Sequence, residues 1–497
     1  MEKYSKIEFH CQLWYDSSMK TEKIYKILPW ALFVLGILSY VSLIFNNNVW
    51  MDEAFTASLV RTDMAGVISR SMADTLPPLY NIYLKIMTDI FGYTIPVMKF
   101  ASVIPMILTM LLSVTVVRKR HGNIASSIFT AALFSMPYLY YFGVEIRMYS
   151  LGFFFATASG IFAYEVLYDS CLKNWIWFTI FSVLAGYSHH FAFVTVGAVY
   201  LYLLLYYIIR DRAHIKRFFL CLLSTLILYF PCLVVTLKQL SRVSGYFSMP
   251  EVTLKVFIKY MYYPYTVGVT FLSVLLLLIV ILFFVKCVFT IFKDRERASV
   301  HMYALFMFLI YYGVLLFGTA ISKVMTANIF VDRYLFFAFG LIWLFFAIEG
   351  STFSEPSAKS QSLHLIMSSA VLIMTLVIGM ASYRSELNIE YGVNPNEMIS
   401  YLSENVAEGD ALVIGAKTEA FTWCLPFYQP NFRQCSLKDA IDLKNSGECK
   451  NIWIAIDKAD STIDDVLESS DFAGRAEYIK DFKFDRYEME LYSLNNL

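Results

Sequence analysis

Five short polar clusters interrupt an otherwise apolar chain, and their side chains are of the kinds used in group transfer. The first is Trp50-Met51-Asp52-Glu53, an acidic pair beside an aromatic ring. A carboxylate at a lipid–water boundary can take the proton of a hydroxyl beside a lipid head group. Glu53 can equally cap a helix, since acids favour helix N-termini. The second, Asp74-Thr75-Leu76-Pro77-Pro78-Leu79-Tyr80, sets an acid before two prolines that impose an extended entry into the next helix. The third, Glu145-Ile146-Arg147-Met148-Tyr149, offers a cation for a phosphate and a carboxylate for an acceptor or a second cation, unless the two neutralise each other. The fourth is Ser188-His189-His190, two imidazoles in a tight turn that with nearby acids could gather around a divalent ion. The fifth is Asp332-Arg333-Tyr334, preceded by Ser322-Lys323. The Arg333 guanidinium is planar, always charged and bidentate, which suits a lipid phosphate. The plainer alternative is an interfacial arginine that snorkels to water.

The elements that must hold these clusters follow from composition. Of 497 residues, 58% are hydrophobic and only 16% charged, with 40 basic and 40 acidic residues. Mean hydropathy is +0.56. Soluble domains carry about a quarter charged residues, so the bulk of this chain reads as a polytopic α-helical membrane protein. Zero net charge argues against a nucleic-acid partner, which calls for a basic stripe. No Gly-rich phosphate loop is present, so no nucleotide site is expected.

Apolar runs predict about eleven spans, near 28–45, 97–117, 124–142, 151–168, 175–187, 191–209, 218–236, 266–290, 303–320, 333–348 and 364–381. The run from Asn174 to Ile209 would measure about 54 Å as one helix, far beyond the roughly 30 Å hydrocarbon core. Gly186-Tyr187-Ser188-His189-His190 breaks it into two. Arg118-Lys119-Arg120, the cluster from Arg210 to Arg217, and Lys293, Arg295 and Arg297 then share one side with the N-terminal lead. The basic-rich side is cytoplasmic. This places residues 1–27 inside as a cytoplasmic lead, a transmembrane domain over 28–381 with a long first outer loop over 46–96, and an extracytoplasmic α/β domain over 382–497. The last alternates runs such as Ala411–Ile414 and Ile452–Ile456 with helix-like stretches. Residues from Ala54 through Met72 have amphipathic spacing and predict a helix on the membrane surface. All five clusters fall on the outer face. Cys424, Cys435 and Cys449 lie in the outer domain, where one disulfide is open to them, and their spacing matches no zinc pattern.

In this order and sidedness the clusters resemble the C-type membrane glycosyltransferase superfamily (GT-C). The nearest branches are the protein O-mannosyltransferases and the bacterial lipid A aminoarabinose transferases. The resemblance runs over about residues 28 to 350. It implies a multi-pass protein of the plasma membrane (the inner membrane of a bacterium) that moves a sugar from a polyprenyl-phosphate donor to a lipid, glycan or protein hydroxyl. Transfer would occur on the outer face with inversion at the anomeric carbon. By the same resemblance Asp52 would be the general base, braced by Glu53, and Arg147 and Arg333 would hold the donor phosphate. Asp74, Tyr80, Glu145, Tyr149, His189, His190 and Tyr334 would line the substrate pocket. No metal ligand set and no certain cofactor follow, since some members bind a divalent metal and others need none. The family often has His or Lys just before the paired prolines; here it is Leu76, so that contact is missing or falls to Lys85 or Lys323. Two rival functions predict other patterns. A lipid or glycan flippase would break or charge its helices near the midplane. A non-catalytic membrane subunit would tolerate loss of Asp52 or Arg333.

Overall fold

A computed structural model of the chain describes residues 25–46, 49–246, 251–294, 298–325, 328–352, 358–387, 396–414, 433–458, 462–467, 475–484 and 487–494. Most of the expected cytoplasmic lead, Cys11, Arg295, Arg297 and Cys424 lie outside the described residues. The chain divides into two compact units, one of residues 1–45 and 63–387, the other of residues 46–62 and 388–497.

The first unit is helical throughout its described part. It begins with α1 (Tyr25–Leu43), α3 (Met64–Ala73), α4 (Leu79–Phe91), α5 (Ile95–Leu112), α6 (Arg118–Ser135), α7 (Leu139–Val144), α8 (Tyr149–Tyr168), α9 (Leu172–Ser188) and α10 (His190–Ile209). It continues through α11 (Ile215–Tyr246), α12 (Leu254–Tyr262), α13 (Thr270–Lys293), α14 (Ala298–Val324), α15 (Phe339–Gly350) and α16 (Ala358–Leu387); α2 (Met51–Leu59) belongs to the second unit. Nine helices among the described residues are long and apolar enough to cross a membrane. One of these continuous stretches, Ile95–Ser135, includes a π-helical turn at Ser113–Val117 and turns at Gly122, whose φ of +88° suits glycine. The expected break after Gly186 is real: α9 ends at Ser188, His189 is extended, and α10 begins at His190. Whole faces of α11 and α13 expose large apolar side chains, among them Leu220, Leu223, Ile227, Phe271, Leu278 and Phe289. Lipid, not water, accommodates such faces.

Two helices form the middle of this unit. Nearly all of α8, and of α15 with its 3₁₀ lead Asp332–Ala338, is buried. They approach closely through small residues, as membrane helices do. A β-carbon on Gly160 would meet Leu341, and one on Gly340 would meet Thr157. The segment from α3 to α5 is tied down by side chains. Tyr80 of α4 shares a 2.6 Å hydrogen bond with Ser102 of α5. Gln239, beyond the expected end of the 218–236 span but still within α11, donates to the carbonyls of Ser71 and Leu76.

The second unit holds α2 (Met51–Leu59), α17 (Asn396–Asn405), α18 (Leu437–Asn445), α19 (Ile463–Leu467) and a five-stranded sheet of order β2-β1-β3-β5-β4. The strands are β1 (Ala411–Ile414), β2 (Arg433–Cys435), β3 (Ile452–Asp457), β4 (Glu477–Phe484) and β5 (Tyr487–Ser493). β1 pairs parallel to β2 and β3, and β5 runs antiparallel to β3 and β4. The two apolar runs noted in the sequence are thus the adjacent strands β1 and β3. Their alternate residues feed two cores, one with Leu412, Trp453 and Ala455, the other with Val413, Ile452 and Ile454. Cys435 and Cys449 are both free thiols. The single amphipathic helix expected through Met72 is instead two. Thr62 Oγ1 bonds back to the Leu59 carbonyl, and Asp63 caps α3 by accepting from Gly66 N at 2.9 Å.

Candidate active site

The residues that sequence reasoning selected fall in both units. Asp52 and Glu53 lie in the first turn of α2. Glu53 is fully buried and its Oε2 accepts from Trp50 N at 3.1 Å, so it does cap the helix. Asp52 is half-buried, and its carbonyl accepts from the Thr56 hydroxyl.

In the first unit three separate motifs meet. The chain leaves α7 at Glu145 in extended conformation, and Arg147 N closes a 2.6 Å bond to the Glu145 carbonyl. This turn buries Glu145 completely and Arg147 almost so, and starts α8 at Tyr149. The break between α9 and α10 supplies His189, which is 1% exposed. The 3₁₀ segment supplies Arg333 and Tyr334, its first turn held by Asp332, whose Oδ1 accepts from Arg333 N at 2.9 Å. The imidazole of His189 packs on Tyr334 at 4.8 Å and Phe337 at 4.5 Å between ring centres, with Tyr149 at 6.5 Å. Tyr149 lies within electrostatic reach of Arg333, Glu145, Arg147 and Tyr334.

Burial, then the neighbouring His190, Arg147 and Arg333, hold the His189 imidazole neutral, with its pKa well below the ordinary range. Its Nδ1 accepts from Phe191 N at 3.0 Å, capping α10. The Tyr149 hydroxyl and His189 Nε2 are buried with no hydrogen-bond partner among the described residues. The cluster thus gathers two guanidiniums, a carboxylate, a phenol and an imidazole, with the phenol and Nε2 left without partners among the described residues.

Other candidates are placed differently. His190 Nε2 lies 3.2 Å from the Thr75 carbonyl, which ties α10 to the segment after α3. Asp74 caps the C-terminus of α3, and the Thr75 hydroxyl reaches its carboxylate at 3.4 Å. Tyr80 is buried and bonded to Ser102. Lys85 is engaged by Asp89 at 2.5 Å, and Lys323 is exposed. Sequence reasoning passed over Lys99, in the second turn of α5, which is 1% exposed. A lysine inside a long apolar run is costly enough to have drawn notice.

A second buried polar cluster lies at the far end of α15, roughly 27 Å of helix away from Arg333. Cys287, His301 and Glu349 bring one ligand atom each within 4.8 Å of one another, a donor set that could hold a metal. The place of a cation is already taken there. Lys286 Nζ lies 3.1 Å from Glu349 Oε2 and bonds to the Glu349 carbonyl and Thr352 hydroxyl, while His301 Nδ1 lies 2.6 Å from Glu349 Oε1. The donors fit a structural ion pair better than a metal centre.

No family model and no curated protein matches the chain. Solved structures do. ArnT from Cupriavidus metallidurans in the apo state aligns with a TM-score of 0.61 over 93% of this chain and 97% of that one, at 11% identity. The same protein bound to undecaprenyl phosphate aligns with a TM-score of 0.57 over the same shares, at 12% identity. The chain therefore has the fold of ArnT, and the resemblance to the C-type membrane glycosyltransferases holds at the level of architecture.

Proposed function

We propose that this chain is an integral-membrane glycosyltransferase that takes its sugar from a polyprenyl-phosphate carrier. The observation that supports this most is the convergence of buried Arg147, Tyr149 and His189 with half-buried Arg333 and Tyr334, from three distant motifs, on one cluster rich in donors. The ArnT fold, known also with undecaprenyl phosphate bound, supports the same reading. In this reading the acceptor oxygen attacks the anomeric carbon from the face opposite the phosphate, and its proton passes to the Asp52 carboxylate. The bond from the anomeric carbon to the phosphate oxygen breaks, and its electron pair leaves with the polyprenyl phosphate. The leaving phosphate gains negative charge as it departs, and Arg147 and Arg333 stabilise that charge where it develops. Glu53 braces the turn that carries Asp52. Glu145, Asp74 and Tyr334 shape the sugar and acceptor side. The reaction faces the extracytoplasmic side, with the N-terminus cytoplasmic and the α/β domain outside.

A flippase reading has less support. The buried charged groups named here lie in turns or near helix ends, as Lys99 does in α5 and Glu349 in α15. The test is transfer by the full chain in vesicles, from a panel of labelled undecaprenyl-phosphate-linked hexoses and pentoses. Asp52→Asn should abolish transfer yet still bind undecaprenyl phosphate. Arg333→Ala should weaken that binding by about 10- to 100-fold, the worth of a charge-assisted contact. Full transfer by Asp52→Asn, or unchanged binding by Arg333→Ala, sinks the assignment.

A further inference from the structure

We infer that His189 is neither base nor acid in the reaction but a fixed Nε2–H donor to a phosphate oxygen of the carrier lipid. This inference rests on the proposed use of such a carrier and goes beyond it by assigning one tautomer and one contact. The tautomer follows from the backbone. Nδ1 accepts the amide hydrogen of Phe191 at 3.0 Å, so Nδ1 carries a lone pair and the ring hydrogen sits on Nε2. That hydrogen has no acceptor among the described residues, and the ring is 1% exposed. Burying a donor without a partner is costly, a cost a fold keeps where a ligand supplies the acceptor.

The surroundings favour an oxygen with high negative charge over a sugar hydroxyl. From α8 and the turn before it come Tyr149, Glu145 and Arg147; from the 3₁₀ segment come Arg333 and Tyr334; from α10 comes His190. The Tyr149 hydroxyl is likewise buried without a partner among the described residues. Nδ1 is already engaged by the Phe191 amide, so a second ring proton has no place there unless the cap on α10 breaks. A neutral donor adds a hydrogen bond to the phosphate without adding a charge that would trap the product. The ring cannot turn over to expose Nδ1 without giving up the cap on α10 and its packing on Tyr334 and Phe337.

The experiment uses the full chain in nanodiscs, labelled with ¹⁵N-histidine, with undecaprenyl phosphate as the probe. The His189 signal, assigned by its loss in His189→Gln, should show the neutral Nε2–H tautomer at pH 8 and still at pH 6. Added undecaprenyl phosphate should shift it. His189→Phe keeps the ring packing and should bind undecaprenyl phosphate about 10- to 100-fold more weakly, with His189→Gln, which keeps a neutral donor, in between. An imidazolium at pH 6, or a hydrogen on Nδ1, overturns the inference without any variant. Wild-type affinity in a folded His189→Phe overturns it too and leaves the carrier reading standing. If the wild type itself fails to bind undecaprenyl phosphate, the carrier reading falls and the inference with it.

Discussion

A single methyl group placed far from any reacting atom should disable the site. Gly152, one turn into α8, faces Phe337 of the 3₁₀ segment. A β-carbon there would lie 2.5 Å from Phe337 Cε1, 2.8 Å from its Cδ1 and 3.4 Å from the β-carbon of Ala192. Comfortable carbon contacts begin near ~3.5 Å, so Gly152→Ala must push the ring back by about 1 Å. Phe337 cannot move alone. Its ring stacks on Tyr149 at 6.1 Å and meets His189 at 4.5 Å, and its segment carries Arg333 and Tyr334. Overpacking of this kind costs about 1–3 kcal/mol, and a displacement near 1 Å in a catalytic group costs roughly 100-fold in rate. Transfer should fall about 10- to 100-fold, with Tm lowered by a few degrees in the same nanodiscs. Adding Phe337→Leu, which vacates the ring's volume, should restore part of both. Gly197→Ala on α10 is the control. No atom lies within 4 Å of its β-carbon, and alanine is the better helix former, so rate and Tm should hold. Wild-type transfer and Tm in Gly152→Ala would refute the coupling of this contact to the site.

Two other outcomes follow from charge. Glu349→Leu strands the Lys286 ammonium and should cost about 3–5 kcal/mol, most of it recovered when Lys286→Met is added; Tm in detergent reads both. A chelator should leave Tm unchanged, whereas a fall would show a metal held by Cys287, His301 and Glu349. In the second unit, hydrogen bonds from Tyr478 and Lys458 hold the Asp481 carboxyl below its ordinary 3.8, and Lys483 holds that of Glu488 below 4.5. A depressed carboxyl contributes stability above its unfolded value and loses it as pH falls through the folded one. Hydrogen exchange in β4 and β5, corrected for intrinsic rates, should therefore stay level from pH 8 to about 5 and rise below about 4.5; a flat profile down to pH 3.5 contradicts this. Lys458 is raised above 10.5, chiefly by its hydrogen bond to Glu490, so its contribution holds below that value and fades only as pH climbs through the raised one.

The membrane fold was legible because hydropathy is local. Each apolar run carries its own length, and Gly186 to His190 announced a break that α9 and α10 honour. The short apolar runs Ala411–Ile414 and Ile452–Ile456 likewise marked β1 and β3. What escaped depends on neighbours. One lysine barely changes the hydropathy of α5, so the burial of Lys99 is visible only once other helices surround it. The Lys286–Glu349–His301 cluster joins three helices, and no spacing within one helix shows it. The single helix expected through Met72 failed on a cap: Asp63 binds Gly66 N, and that local bond outweighs a continuous amphipathic pattern.

The buried clusters at the two ends of α15 differ in what they leave over, and the contrast supports the choice of site. At the end that holds Glu165 and Glu349 the charged groups are paired. Arg120 grips Glu165 with two bonds of 2.5 and 2.6 Å, and Glu349 is neutralised by Lys286 and His301. In the second unit Asp410, also buried, accepts from Ala407 N, Asn451 N and Trp453 Nε1. Such networks fix packing and offer nothing to a ligand. Beside Arg147 and Arg333 two donors are left over. His189 spends one nitrogen on the backbone and keeps its Nε2–H unspent, and the Tyr149 hydroxyl is unspent too. Apolar rings at both positions would pack equally well against Phe337 and Tyr334 and would avoid the desolvation cost. Donors retained there at that cost are explained by an anion that accepts from them, and a phosphate is the anion two guanidiniums fit best.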